Sequence, residues 1–561
     1  MSVQEGVRRG LYFEKQEYRD KPLPEWLVAR LRLPAPQLPE APEVIPAYWQ
    51  AWEMAFDHFR RPRLGSRLVS NFLDPMADGR LRMWDACTMA SFCDLAHDLL
   101  PGIRALDNFY VCQHENGEIC REIDFLGSDV EAWVNREGRP LFSRQTGREA
   151  ELGGGQWRGG AAAEQGGEAG GGGGTGAEAL AGQGGEPGGA VPDLTLDGLC
   201  HPLLAWAELE SYRQSGDAGR VAAVWPALVR FYEVLVAQRR HDNGLFVADW
   251  SWMDNSPRNV KLGCGVDASC EMVLFARCLA EMAPVAARQA EAEGRFPEGL
   301  AARRRGDALV VEAEACTAVI RERLWDPQRG FFYDLLVDGR RSEVATAAGF
   351  WALAAGVATA EQAQALCGWL RDPATFGRAC GVPSLSAAAA GYDARGGYFR
   401  GAVWPPLMLM VARGLARYGH DGLAREVAMR HVRAAAAVVA ETGTFWESYA
   451  PDAAAPGKPA RPDCIGWGGV GPITLLLEFG IGLRANAPLD ELQWTVNTLG
   501  ACGCDRYWFR GTRVKVAAEA RGAFDEPLRI RIEAERPIRL VVRTGGRRAE
   551  WRVTGRQAYV M

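Results

Sequence analysis

The sequence predicts a mainly α protein, an (α/α)6 toroid of six helical hairpins, with a small C-terminal antiparallel β unit. Three observations predict it. From Ile45 onward, apolar residues recur at helical spacing through about a dozen segments, mostly joined by Gly- or Pro-containing turns. These segments show no fixed repeat of the roughly 34–45 residues that an α-solenoid would carry. A dozen helices in sequential pairs instead suits six outer and six inner helices, with a site where the inner loops converge. After about Asn497 the period switches to strict alternation.

The elements follow in order. Residues 1–44 are proline-rich and mixed in charge, and read as an arm wrapped on the body. IPAYWQAWEMAFDHF, from Ile45, spreads Trp49, Trp52, Met54 and Phe56 around a helix and is expected to be well buried. Further helices are expected near 85–100, 102–114, 122–134, 199–214, 218–239, 267–284, 308–324, 345–357, 360–371, 402–418, 422–440 and 469–483. Residues 152–191 interrupt the helical body of 45–496. This Gly-rich run has almost no large apolar side chains to offset its ordering entropy, so it reads as a disordered insertion. It lacks the preceding strand and the Lys-Ser/Thr of a phosphate loop. In residues 497–561, RVKVAAEA, LRIRIEAE, IRLVVRT and EWRVTG alternate as strands.

Composition excludes several classes. The chain has 561 residues, 48% of them hydrophobic and 24% charged, enough to bury a large core. A net charge of −6 without a strong basic cluster gives no footprint for nucleic acid. No uninterrupted apolar run reaches the roughly 18 residues of a membrane span. The segment MSVQEGVRRGLYFEKQEYRDKP lacks an apolar export core, so a cytoplasmic location is the default. The 14 cysteines are scattered, several within apolar helices (Cys270, Cys278, Cys367), and read as free buried thiols. Seven dispersed histidines without HExxH or HxH indicate no transition metal, and no cofactor is expected. The oligomeric state is not legible.

The chemistry-bearing residues lie at turns and helix starts. SWMDNSPR (251–258) and GTFWESY (443–449) each set one acid among bulky aromatics, Asp254 beside Trp252 and Glu447 beside Trp446. A carboxylate against apolar rings loses hydration, which raises its pKa. Two such acids can divide the work of a glycosidase, one protonating the leaving oxygen and one activating water. Their bland roles are a turn cap and a surface acid. MWDACTM places Trp84 and Asp85 at a helix start, where Asp85 would otherwise be an N-cap. QHENGEICRE puts Arg121 after a turn. YFRGAVWPP gathers Tyr398, Arg400 and Trp404 around Gly401, and CIGWGGVGP carries Trp467. Indoles at turns, together with Arg and Asp, suit a polyhydroxylated ligand in a concave site. Glu441 is the rival of Glu447 and Asp249 of Asp254, while Asp267 reads as an N-cap or sugar contact.

These motifs, with HPLLAWAELESY and PSLS, occur in the order of the six-hairpin glycosidases. Over roughly residues 45–485 the chain resembles glycoside hydrolase family 63 and the mannosylglycerate-hydrolase-like proteins, and more distantly the trehalases of family 37. The resemblance implies hydrolysis of an α-glucosidic or α-mannosidic bond with inversion, Asp254 as general acid and Glu447 as general base. It places Trp84, Asp85, Arg400, Trp404 and Trp467 around the non-reducing sugar, and the missing export core leans toward a small soluble glycoside or oligosaccharide as substrate. The family usually shows a small residue where Trp252 stands. Trp252 would therefore narrow the pocket beside the acid or change the acceptor site. Two rival readings remain: a sugar epimerase or isomerase, for which only His114 and His201 are placed, and a non-catalytic carbohydrate-binding protein.

Overall fold

The computed structural model describes residues 8–16, 23–96, 99–135, 195–196, 201–248, 253, 255–258, 260 and 263–561. Asp249, Trp252, Asp254 and the Gly-rich insertion lie outside the described residues.

The described chain is rich in helix and ends in a β-sheet. The helices are α1 (Trp26–Arg30), α2 (Val44–Asp57), α3 (Met83–Cys93), α4 (Asp107–Val111), α5 (Leu204–Ser215), α6 (Ala218–Arg239), α7 (Val266–Ala292), α8 (Phe296–Arg323), α9 (Trp351–Ala354), α10 (Ala360–Arg371), α11 (Pro405–Arg417), α12 (Asp421–Thr442) and α13 (Ile465–Gly468). A π-helix, Val470–Ile481, follows α13.

Local chemistry sets many of the boundaries. Asp217 accepts from Arg220 N at the start of α6, and Thr359 and Gln362 form a capping box on α10. Pro405 and Pro406 open α11, where a missing N–H costs nothing. Gly216 and Gly443 close α5 and α12 in the left-handed conformation that a side chain disfavours.

The packing order is regular. α3 packs on α5, α5 on α7, α7 on α9, α9 on α11, α11 on the π-helix, and the π-helix back on α3. α6 packs on α5 and α7, α8 on α7, α12 on α11 and the π-helix, and α2 on α12. The hydrophobic core runs through both sets, with Trp52, Trp351 and Trp404 fully buried. By length and composition α6 could cross a bilayer, but half of its apolar window is buried in this packing. Length and mean hydropathy thus single out a helix that a search for an unbroken apolar run passes over.

The sheet has seven strands: β1 (Ala35–Gln37), β2 (Leu483–Asn486), β3 (Glu491–Thr495), β4 (Cys502–Phe509), β5 (Thr512–Ala518), β6 (Arg529–Thr544) and β7 (Arg547–Val560). Their order is β1-β4-β5-β6-β3-β2, with β7 along the other edge of β6. β3 and β6 run parallel and the other pairs antiparallel. The C-terminal run of strands therefore begins at Leu483, ahead of the switch expected near Asn497. The N-terminal arm does more than wrap the body, since it contributes β1 to the sheet.

Several helix expectations need correction. Residues 122–134 are not a helix. Glu122–Asp124 pairs with Arg80–Arg82, and Asp124 Oδ1 accepts from Leu126 N and Ser128 N to form a turn. Only one 3-10 turn, Glu131–Trp133, follows. The turn needs Gly127, whose φ is +81° and whose missing Cβ would lie 2.8 Å from Arg67 Cβ. α7 continues through Pro284 to Ala292, past the expected stop, and α8 begins at Phe296, well before 308. The added turns are rich in Ala, Arg and Glu, strong helix formers with little apolar period to reveal them. The 13 described cysteines are all buried and free.

Candidate active site

Several of these packed helices bring their N-terminal ends together. Trp84 and Asp85 occupy the first turn of α3, and His201 lies just ahead of α5. Asp267 and Glu271 lie in the first turns of α7, Trp351 opens α9, Trp404 is the N-cap of α11, and Trp467 lies in α13. Ring contacts join them into a continuous wall. Trp351 lies parallel to His201 at 6.2 Å, and His201 lies 4.3 Å from Trp84. Trp467 is 5.1 Å from both Trp84 and Trp404. Tyr398 meets Trp404 edge-on at 5.0 Å, and Phe399 stacks on it at 4.4 Å.

Two carboxyls are buried beside this wall: Asp85 is 1% exposed and Glu447 6%. Burial pushes Asp85 up to about 7; the charge of Arg82 opposes the shift, and those of Glu122 and Glu447 add to it. Burial also raises Glu447, against the pull of Arg461 and Arg82. Arg82 is itself held between Asp78, at 2.6 Å, and Glu122, at 3.6 Å. The backbone gives Glu447 a fixed position, since its N–H donates to Arg461 O at 2.9 Å. Gly466 leaves room for Asp85, because a Cβ there would lie 2.5 Å from Asp85 Oδ1. Asp85 Oδ1 and the indole N–H groups of Trp351 and Trp467 are buried without a hydrogen-bond partner among the described residues. A polyol presenting both donors and acceptors would satisfy such a set.

The structure thus brings together Trp84, Asp85, Tyr398, Trp404, Glu447 and Trp467. The other predicted residues make different contacts. Arg121 lays its guanidinium over Trp133 at 4.2 Å, while its carbonyl accepts from Met83 N. Arg400 is exposed and donates from Nε to Gly391 O at 2.8 Å. Trp446 is half-buried, with its indole donating to Thr442 Oγ1 at 3.1 Å. Glu441, the rival of Glu447, is exposed. Asp267 is neither an N-cap nor an open contact. Both its oxygens are taken by Arg258, at 2.7 and 2.5 Å, and Arg258 also grips Asp334. His114 pairs with Asp129, which also holds Arg9 of the arm.

Sequence reasoning gives little weight to the His201–Glu271 pair, buried with Nδ1 2.5 Å from Oε1. It also leaves Trp351 within a helix and outside the site. The signal for both is their place at the start of an apolar helix, the same position that singles out Trp84.

Residues 197–463 match the family described as mannosylglycerate hydrolase MGH1-like glycoside hydrolase domain. The chain is 33% identical over 170 residues to mannosylglycerate hydrolase MGH1 of Selaginella moellendorffii, covering 27% of this chain and 32% of that one. An uncharacterized protein of Borreliella burgdorferi is 25% identical over 330 residues, covering 56% of this chain and 66% of that one. Among solved structures, the family 63 mannosylglycerate hydrolase of Thermus thermophilus, in complex with glucose, aligns at 20% identity with a TM-score of 0.49. That alignment spans 77% of this chain and all of the other. The resemblance read from the motifs therefore holds, while the chain spans only about a third of the length of the Selaginella hydrolase it matches.

Proposed function

We propose that the protein hydrolyses an α-glucosidic or α-mannosidic bond in a small soluble glycoside or oligosaccharide, with inversion, on an (α/α)6 toroid. The closed packing cycle from α3 through the π-helix supports the toroid. The observation that carries the function is the indole wall at the converging helix starts with Asp85 and Glu447 buried beside it. One sugar sits against Trp84, Trp404 and Trp467 and exchanges hydrogen bonds with Asp85. Asp254 is the general acid that protonates the glycosidic oxygen. Glu447 is the general base that takes a proton from the attacking water. Single displacement needs the two carboxyls about 6.5–9.5 Å apart, leaving space for that water.

Proton NMR of the protein with mannosylglycerate, glucosylglycerate, trehalose, kojibiose, nigerose and maltose tests this reading. The expected result is release of the β-anomer from one α-glycoside, lost in Asp254→Asn and Glu447→Gln. Turnover unaffected by both substitutions overturns the assignment. The buried His201–Glu271 pair favours a second reading, an epimerase that moves protons through histidine. Deuterium entering a sugar carbon in D2O without cleavage would select it.

A further inference from the structure

We propose that Asn255 is a positioning residue that clamps the Tyr398 turn against the aromatic wall and links it to the segment bearing the proposed acid. The inference rests on the hydrolase reading for the reaction it serves. Asn255 Nδ2 donates to Gly397 O at 2.9 Å, and Asn255 Oδ1 accepts from Phe399 N at 2.9 Å. The two partners fix the orientation of the amide, since a flip would set donor against donor and acceptor against acceptor. Between them lies Tyr398.

Gly397 and Tyr398 are consecutive left-handed residues, with φ +53° and +60°. Glycine takes that conformation freely, whereas an aromatic residue with a Cβ needs its surroundings to hold it there. The Asn255 bridge spans this strained residue from the carbonyl before it to the amide after it. The conformation sets Tyr398 edge-on to Trp404 and Phe399 face-on to it, at the end of the wall that continues to Trp467. Three residues further on, Arg258 anchors the same segment to Asp267 and Asp334 in the interior. The residue after Asp254 thus holds the wall, and the motif's arginine holds the start of α7. Asn255 itself is exposed, so water competes for its bonds and their loss bears on the turn more than on global stability.

The test compares Asn255→Ala, Asn255→Asp, Tyr398→Ala and the Asn255→Ala/Tyr398→Ala double variant by amide exchange of peptides covering 396–404 and by kinetics on the glycoside turned over in the panel. Exchange over 396–404 should quicken about tenfold or more in Asn255→Ala, with peptides elsewhere unchanged. Asn255→Asp should show an intermediate gain, since it keeps the acceptor for Phe399 and turns a carboxylate oxygen on the Gly397 carbonyl. kcat/KM should fall at least about tenfold in Asn255→Ala, and less than about twofold further when the substitution is made in Tyr398→Ala. Unchanged exchange over 396–404 overturns the clamp. Full multiplication of the two single effects overturns the link to Tyr398. The exchange result stands whether or not a glycoside is turned over, so failure of the clamp and failure of the hydrolase reading are separately visible.

Discussion

Asp85 is the residue whose environment says most about the site. Its folded pKa of about 7 lies above that of an unfolded aspartate. The folded state therefore holds the proton more tightly, and stability falls as pH rises from about 4 to about 7. Asp85→Asn removes the buried charge. It should raise stability by about 2–4 kcal/mol at pH 8, with no gain at pH 4, while abolishing turnover. Thermal unfolding at both pH values checks the sign. Glu447 is raised by burial and held back by Arg461, so Arg461→Ala should move the acidic limb of kcat/KM to higher pH. A pH–rate profile that does not move would take Arg461 out of the control of Glu447. Both acids are legible in the sequence because each sits beside a tryptophan. Glu122 beside Asp85, and Arg82 and Arg461 beside Glu447, are not, because those contacts join residues that are separated in the chain.

At the scale of the element, the starts of α6, α7, α10 and α12 are legible to within a residue, whereas the end of α7 and the start of α8 are not. Trp404 and Trp467 stand out because indoles beside proline or glycine are unusual for a core helix, and Trp84 because it stands with Asp85 at a helix start. The ends of α7 and α8 were hidden, because residues 285–307 favour helix by propensity without marking a buried face. The helix expected over 122–134 failed for the opposite reason: a side-chain turn at Asp124 overrode a helix-like spacing of apolar residues. Capping chemistry is the part of an element that sequence states most directly. Thr359 accepts from Gln362 N at 3.2 Å, and Gln362 Oε1 accepts from Thr359 N at 2.9 Å. Thr359→Ala should cost about 1 kcal/mol in urea unfolding, with turnover unchanged.

At the scale of the molecule, helices and sheet are joined by a charged cluster rather than by apolar packing alone. Glu210 of α5 takes Arg213 at 2.6 Å, Arg413 of α11 at 3.1 Å and Arg484 of β2 at 3.2 Å. Arg413 also pairs with Glu478 of the π-helix. Burial alone would raise Glu210, but the charges of Arg413, Arg213 and Arg484 pull it far below the usual carboxylate range. A depressed folded pKa stabilises above the unfolded value and is lost as pH falls. Glu210→Gln should therefore cost about 2–3 kcal/mol at pH 7, leaving three guanidinium groups close together, with the difference narrowing below about pH 4.5. Denaturation at pH 7 and pH 3 measures it.

The strand β1 gives the molecule a history as well as a shape. Gln37 meets Asp505 across 468 residues of chain. A ribosome adding about 5–20 residues per second needs roughly half a minute or more to make the partner strand. Until then the arm has no β4 to pair with, and this edge of the sheet closes only after the helices have been synthesised. Three residues are a short edge to leave waiting, and a short edge is the kind least prone to capture a neighbouring nascent chain.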